Sequence, residues 1–225
     1  MLLVAIDTSG RHGSVALCRG DDGHFETLQL IPLEGGTYSA RLMPVIAEIL
    51  AAHNHSREQV DAFVVVAGPG SFTGLRVGLA TVKGLCEVLQ KPLVAVSMLE
   101  AIAVLRGRAN GRVAVALDAG RGEVYVGEFQ VKNSRAAAVR ELIAKLHVFA
   151  AESARTDLAV LSPDGKVIEQ LRAAGVAVRE VEPLLAGDIA RFGLKRLLAG
   201  ELADPATLDA NYIRRSDAEL FAPKR

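Results

Sequence analysis

Two hydrophobic patterns alternate along the first half of the chain. Short apolar runs, each bounded by polar or turn-forming residues, predict β-strands near residues 2–7, 13–19, 25–31, 61–67 and 92–96. Longer segments with apolar residues at helical spacing predict helices near residues 39–53, 73–90 and 97–106. This mixed order of strands and helices is typical of an α/β domain.

The second half opens with a pattern that repeats the start of the chain. In both places an apolar strand ends in an aspartate, Asp7 or Asp118, and a Gly/Arg turn leads into a second strand. Such a repeat indicates a duplicated half, and coincidence between two ordinary hairpins is the alternative. Paired hairpins of this kind are typical of the actin-like and sugar-kinase-like ATPase fold, where two related domains each present one to the phosphates of a nucleotide.

The second half is expected to be reduced. Strands are predicted near residues 112–118 and 123–131, with another within 138–149, and a helix near 185–199 precedes an irregular tail. The segment RGRANG, residues 106–111, is rich in turn formers and indicates the connection between the halves. We therefore predict an N-terminal α/β domain over residues 1–106 and a reduced C-terminal α/β domain over residues 107–225.

Composition favours a compact, cytoplasmic protein. The chain has 225 residues, of which 50% are hydrophobic, enough for one large or two small cores. Lys plus Arg equals Asp plus Glu at 26 each, which argues against a stand-alone tRNA binder. Cys18 and Cys86 are too few for a disulfide framework or a zinc site. The opening run MLLVAI is too short for a signal peptide or a membrane span, so no membrane association is expected.

The most informative segment joins a predicted strand to a predicted helix through a glycine-rich loop, VVVAGPGSFTGLRVGLATVKGL at residues 64–85. Gly68, Gly70 and Gly74 permit close backbone approach, and Ser71 or Thr73 can cap the helix that follows. The spacing matches neither the Walker loop nor the Rossmann fingerprint. Two interpretations stay open: a weak anion or nucleotide site at the helix start, and, more favoured, tight packing of the strand against the helix.

The two repeated aspartates are the first candidates for catalysis. In an ATPase of this fold, carboxylates at Asp7 and Asp118 would organise a metal ion or a water molecule beside the phosphates. In a protein that has lost catalysis, the same carboxylates would cap their own turns. His53 and His55 lie where the first helix ends, and their spacing favours solvated loop histidines over a metal site.

Five blocks of the chain, in order and with compatible spacing, resemble the bacterial TsaB family (older name YeaZ). They are LLVAIDTS with GSVAL, the glycine loop, PLVAVSMLEAIA, LDAGRGEVYVGEF and NYIRR. The departures are small: Tyr38 stands where many members carry a histidine, and Ala210 stands where a proline usually precedes the Tyr-x-Arg motif. The blocks span nearly the whole chain, which makes the resemblance specific.

The resemblance implies a non-catalytic subunit in the synthesis of threonylcarbamoyladenosine on tRNA. Such a subunit pairs with its paralogue TsaD, and with the ATPase TsaE, for transfer of a threonylcarbamoyl group to the adenosine beside the anticodon of ANN-decoding tRNAs. Met98 and Ile102 stand where TsaD has its metal-binding histidines, so no metal and no cofactor beyond weakly bound nucleotide are expected. Contact with tRNA is expected only through the complex, and a homodimer is possible when TsaD is absent. The alternative is an enzyme of the same fold, a glycoprotease-like peptidase or a small ATPase or kinase.

The first two long helices carry more apolar surface than one small sheet can cover. A helix sandwiched between its own sheet and its neighbour explains this as well as a partner-binding face does, and the resemblance shifts the balance toward the partner. We therefore predict a helical interface with TsaD. Its residues are Leu42, Val45, Ile46 and Ile49 on the first helix and Leu75, Leu79 and Val82 on the second.

Overall fold

A computed structural model describes residues 1–156, 158–211 and 213, which divide into two compact units. The first contains Met1–Ser97 and Leu184–Asn211, and the second contains Met98–Pro183. The predicted division between residues 106 and 107 differs from these units in two respects. The helix that follows Ser97 packs in the second unit, and the chain returns to the first unit at Leu184.

The first unit is built on a five-stranded mixed sheet. Its elements are β1 (Leu2–Asp7), β2 (His12–Gly20), β3 (Phe25–Glu34), α1 (Tyr38–Ala52), β4 (Ala62–Gly68), α2 (Phe72–Leu89), β5 (Leu93–Ser97) and, after the second unit, α6 (Ala186–Leu198). The strand order is β3-β2-β1-β4-β5, with β1, β2 and β3 antiparallel and β1, β4 and β5 parallel. Every residue of β1 and β4 is buried, which requires cover on both faces of the sheet.

The second unit has its own five-stranded sheet and its own core. Its elements are α3 (Met98–Arg106), β6 (Asn110–Gly120), β7 (Glu123–Lys132), β8 (Arg135–Lys145), α4 (Leu146–Ser153), β9 (Val160–Ser162), α5 (Gly165–Ala173) and β10 (Val178–Glu180). The strand order is β10-β9-β6-β7-β8. The core forms where the buried residues of β6 and β7 meet the apolar faces of α4 and α5, for example at Phe149 and Leu171.

The two sheets have the same topology, which confirms the predicted duplication. Read from β8, the order in the second unit is the order in the first: an antiparallel hairpin at the centre, a third antiparallel strand on one side, and two parallel strands on the other. The predicted fold class, two related α/β halves of the actin-like type with the second reduced, is confirmed. In the described residues, no helix is both long and apolar enough to cross a membrane.

Candidate functional site

The glycine loop after β4 is fastened to the turn that follows β1. The Ser71 amide donates a hydrogen bond to the Ser9 carbonyl oxygen at 2.6 Å. The Thr8 hydroxyl donates to the Gly74 carbonyl oxygen at 2.8 Å. Of the two predicted caps, Ser71 is the one that caps α2, since its Oγ accepts from the Gly74 amide at 3.3 Å. The start of α2 is thus held by contacts within the first unit.

Close packing accounts for the glycines of this loop. A Cβ atom at Gly70 would overlap the Ser9 carbonyl oxygen, and one at Gly74 would overlap the Thr8 carbonyl oxygen. Gly68 has a φ of +137°, a backbone conformation that residues with a side chain rarely adopt. A Cβ there would lie 2.7 Å from the Asn211 carbonyl oxygen. Of the two interpretations, tight packing is therefore enough to explain why these positions are glycine.

Asp7 is buried at the end of β1 and caps its own turn. Its Oδ1 accepts hydrogen bonds from the Ser9 amide at 2.8 Å and the Ser9 hydroxyl at 2.7 Å. Burial raises the pKa of the Asp7 carboxyl above its usual range, although these two hydrogen bonds oppose the shift. Beside it, the Tyr38 hydroxyl donates to the Gly10 carbonyl oxygen at 2.8 Å, and burial raises the pKa of Tyr38 to about 12.

Asp118 makes the equivalent turn in the second unit but is exposed to solvent. Its Oδ1 accepts from the Gly120 amide at 2.9 Å, two residues ahead, as Asp7 accepts from Ser9. The Asp118 amide in turn donates to Asp164 Oδ2 at 2.7 Å. Burial raises the pKa of Asp164, with the nearby Asp118 charge acting in the same direction. Both repeated aspartates therefore have a structural role as turn caps.

The residues predicted to form a partner interface are core residues, and this part of the prediction is corrected. All seven are at most 5% exposed: Leu42, Val45, Ile46 and Ile49 of α1, and Leu75, Leu79 and Val82 of α2. The two helices pack against each other and against the sheet, and these large side chains fill the space between them. A partner cannot reach them while the first unit stays folded.

Both α1 and α2 also have exposed residues, and we call one set of these the exposed stripe. On α2 it follows every fourth position through Arg76, Ala80, Gly84 and Val88, and on α1 it follows Met43, Ala47 and Ala51. Val88 is 77% exposed and Met43 is 49% exposed. Positions four apart form one ridge of a helix, so each row is a continuous surface. Sequence reasoning missed the stripe because most of its residues are small.

The remaining candidate residues of the sequence lie in the loop after α1 and in α3. His53 Nε2 lies 3.1 Å from Gln29 Oε1, and His55 Nε2 lies 3.3 Å from Arg19 Nη2. Both histidines lie in the loop after α1 and are half-buried. His55 Nδ1 is buried without a hydrogen-bond partner among the described residues. Met98 and Ile102 are buried in the second unit. Among the described residues, no three or more His, Cys, Asp and Glu side chains are grouped to hold a metal ion. Tyr212 and Arg214, in the last sequence block, lie outside the described residues.

Comparison with known proteins places the chain in a family. The family model for TsaD, tRNA N6-adenosine threonylcarbamoyltransferase, matches residues 35–211. The chain belongs to this family. It is 38% identical over 134 residues to the tRNA threonylcarbamoyladenosine biosynthesis protein TsaB of Escherichia coli, and 35% identical over 133 residues to TsaB of Bacillus subtilis. These matches cover 58% and 59% of this chain, and 55% and 57% of the two relatives.

A solved structure agrees over nearly the whole length. A Pseudomonas aeruginosa protein, described as uncharacterized with similarity to peptidase YEAZ, superposes with a TM-score of 0.75 and 27% identity. The match covers 95% of this chain and 99% of that one. The predicted resemblance to the TsaB family is confirmed by these relatives, which are named as biosynthesis proteins for threonylcarbamoyladenosine in tRNA.

Proposed function

We propose that this chain is a non-catalytic subunit that binds a TsaD-type transferase and supports threonylcarbamoyl transfer to tRNA. The observation that carries the proposal is the exposed stripe on α1 and α2. It combines small residues with the exposed apolar side chains of Met43 and Val88 and one charged residue, Arg76. TsaE, the ATPase of the pathway, would join the same complex, and the chain would need no cofactor of its own.

Gly84 is the feature of the stripe that points to a helix as its occupant. Glycine in the middle of a helix costs about 1 kcal/mol relative to alanine. A Cβ at Gly84 would meet nothing within 4 Å, so packing inside the described part of the chain does not require glycine there. Close approach of another helix backbone would require it. Ala80 and Ala47, also small and exposed, would let that helix lie along both rows of the stripe.

The absence of catalysis is supported by the family resemblance together with the residues at the site. Met98 and Ile102 occupy positions where the resemblance places the metal-binding histidines of TsaD, and neither side chain can replace an imidazole. Both are buried residues of α3. Asp7 and Asp118 cap their turns. The P. aeruginosa structure is described by similarity to a peptidase, so a peptidase or a small ATPase is the competing function.

The test substitutes neighbouring residues of α2 that face opposite ways. Ala80→Glu adds a charge to the exposed stripe, and Leu79→Glu adds the same charge to the core. Ala80→Glu should melt like the parent yet fail to co-purify with TsaD and fail to support tRNA modification, because an unpaired charge in an interface costs about 2–5 kcal/mol. Leu79→Glu should unfold the subunit. Val139→Glu, on the exposed surface of the second unit, is the control that should keep both properties.

Two results would contradict the proposal. If Ala80→Glu and the parent bind TsaD equally, the stripe is not the interface. If the purified chain alone hydrolyses ATP or a peptide, and Asp7→Asn abolishes that turnover, the chain is an enzyme. The chain alone is also tested for dimer formation, with and without Ala80→Glu. If the parent forms a dimer that Ala80→Glu breaks, the proposal requires that TsaD displace the second copy.

A further inference from the structure

The second unit contains a cavity lined by three arginines. It has a volume of about 440 Å³ and lies where β6, β9 and β10 begin. Arg108 lies just before β6, Arg112 lies near the start of β6, and Arg179 comes from β10. The floor between them is apolar, with Leu161 and Val178 among its residues. The cavity lies entirely within the second unit and involves neither aspartate turn.

The charge of the cavity is positive and locally concentrated. None of its described lining residues is acidic. The segment that supplies two of the arginines, RGRANGR at residues 106–112, has three arginines and no acid, in a chain whose net charge is zero. Such clustering against a neutral background marks a local electrostatic footprint for an anionic ligand.

Two of the three arginines have no partner in the described part of the chain. The side chains of Arg108 and Arg179 make no hydrogen bond or ion pair there. By contrast, Arg172 Nη2 lies 3.5 Å from Glu180 Oε2, and Arg106 Nε donates to the Glu182 carbonyl oxygen at 3.3 Å. Neighbouring arginines of the second unit are thus used within the fold, while Arg108 and Arg179 remain available to a ligand.

The third arginine can be shared with a ligand without leaving a buried charge unpaired. Arg112 Nη2 lies 3.3 Å from Glu128 Oε2, and its side chain is 57% exposed. Glu128 is buried, and Arg140 donates to its other oxygen from Nε at 2.8 Å and from Nη2 at 2.5 Å. Because Arg140 already neutralises Glu128, Arg112 can turn toward the cavity at modest cost.

We propose that this cavity binds phosphate groups of the tRNA backbone, an inference that rests on the proposed function. Arginine forks match phosphate oxygens in pairs, and three forks around one open cavity fit adjacent phosphates of a nucleic acid strand. No aromatic side chain is among the described lining residues, so the cavity has no platform on which a base could stack. The ligand is therefore the backbone of the RNA, and this subunit adds phosphate contacts to those of the transferase.

The experiment measures binding of a labelled ANN-decoding tRNA transcript by fluorescence anisotropy, at several salt concentrations, to the full chain alone and with TsaD. The double variant Arg108→Gln/Arg179→Gln is compared with Arg155→Gln/Lys166→Gln. The control removes the same charge from exposed positions of the second unit outside the cavity. Losing two phosphate contacts should weaken binding about tenfold and reduce the slope of log K against log salt by about 1.4–1.8. The control should change binding less than about twofold.

Three readouts separate this inference from the proposed function. Co-purification with TsaD should be unchanged in the cavity variant, since the exposed stripe is intact. If the parent chain supports modification but the cavity variant and its control bind tRNA equally, the inference is overturned and the proposed function stands. If the parent fails to support modification, the proposed function itself fails. The inference would also be overturned if poly-glutamate displaced the labelled tRNA as well as unlabelled tRNA does at the same concentration of negative charge. Such a result would indicate a site for acidic proteins.

Discussion

The two units share one strand order but differ in the layers that cover it. In the first, α1 and α2 have 15 and 18 residues, whereas the corresponding α4 and α5 have 8 and 9. The parallel strands shrink as well, from 7 and 5 residues in β4 and β5 to 3 each in β9 and β10. The antiparallel hairpin does not shrink: β6 and β7 have 11 and 10 residues, against 6 and 9 in β1 and β2.

From this difference we infer different tasks for the two units. Long helices bury one face against their own sheet and still expose a second face, which is available to a partner. Short strands and helices cover less of their sheet, and in the second unit they leave the arginine-lined cavity at the strand starts. On this account the first unit supplies the protein contact and the second supplies the contact with RNA.

The two aspartate turns show the same contrast at smaller scale. Each carboxylate accepts a hydrogen bond from the amide two residues ahead. Asp7 is enclosed by the glycine loop and Tyr38, whereas Asp118 is exposed with Asp164 beside it. The local sequence therefore determines the turn, and the neighbouring segments that pack against the turn determine how deeply its aspartate is buried.

The largest effect is expected at the glycine loop. Gly74→Ala should destabilise the protein by about 4 kcal/mol or more, because the new Cβ would overlap the Thr8 carbonyl oxygen and force the start of α2 away from β1. Gly84→Ala, in the same helix, should stabilise it by about 1 kcal/mol because the added methyl meets open space. Chemical denaturation of both variants checks this pair. Equal losses would show that α2 is not held by its glycine contacts.

A smaller effect is expected at the ion pairs of the second unit. Arg140→Ala should cost about 2 kcal/mol, because it leaves the buried Glu128 with only its longer contact to Arg112. Arg112→Ala should cost under about 1 kcal/mol, since Arg140 remains. The comparison uses urea unfolding of the two single variants. A larger loss for Arg112→Ala would mean that Arg112 is committed to Glu128 and is not available to a ligand.

Substitution of the two aspartates should separate the buried turn from the exposed one. Asp7 has a folded-state pKa above its unfolded value, so its stabilising contribution is present below the unfolded pKa and is lost as pH rises through the folded pKa. Asp7→Asn should therefore raise the Tm at neutral pH and have little effect in acid, because the amide oxygen can still accept from Ser9. Asp118→Asn should change stability by less than about 0.5 kcal/mol. A fall in the Tm of Asp7→Asn at neutral pH would refute the desolvation argument.

The sequence predicted the positions of the strands and helices but not which face of each helix is exposed. The strands and helices of the first unit were predicted to within three residues at each end, because long periodic segments carry a strong signal. The elements β9 and β10, with 3 residues each, are too short to carry one. The return of α6 to the first unit is a tertiary contact that no local pattern encodes.

The interface prediction failed for a related reason. Apolar residues occupy most of the circumference of α1 and α2, so the pattern could not say which side meets the sheet. Large residues such as Ile49 and Leu75 were predicted to contact the partner, but they are buried in the core of the first unit, whose close packing requires large apolar side chains. Under the proposed interface the informative residue is Gly84, a glycine inside a helix where an added Cβ would meet nothing within 4 Å.

The most direct test of the central claim is photo-crosslinking in the assembled complex. A photoreactive amino acid is placed at Ala80, at Val88 or, in the second unit, at Val139, all of which are exposed. We expect crosslinks to TsaD from positions 80 and 88 and none from position 139, with the crosslinks lost when TsaD is omitted or when the unlabelled parent chain is in excess. Crosslinks to TsaD from position 139 and none from positions 80 and 88 would contradict the assignment of the partner surface to the first unit.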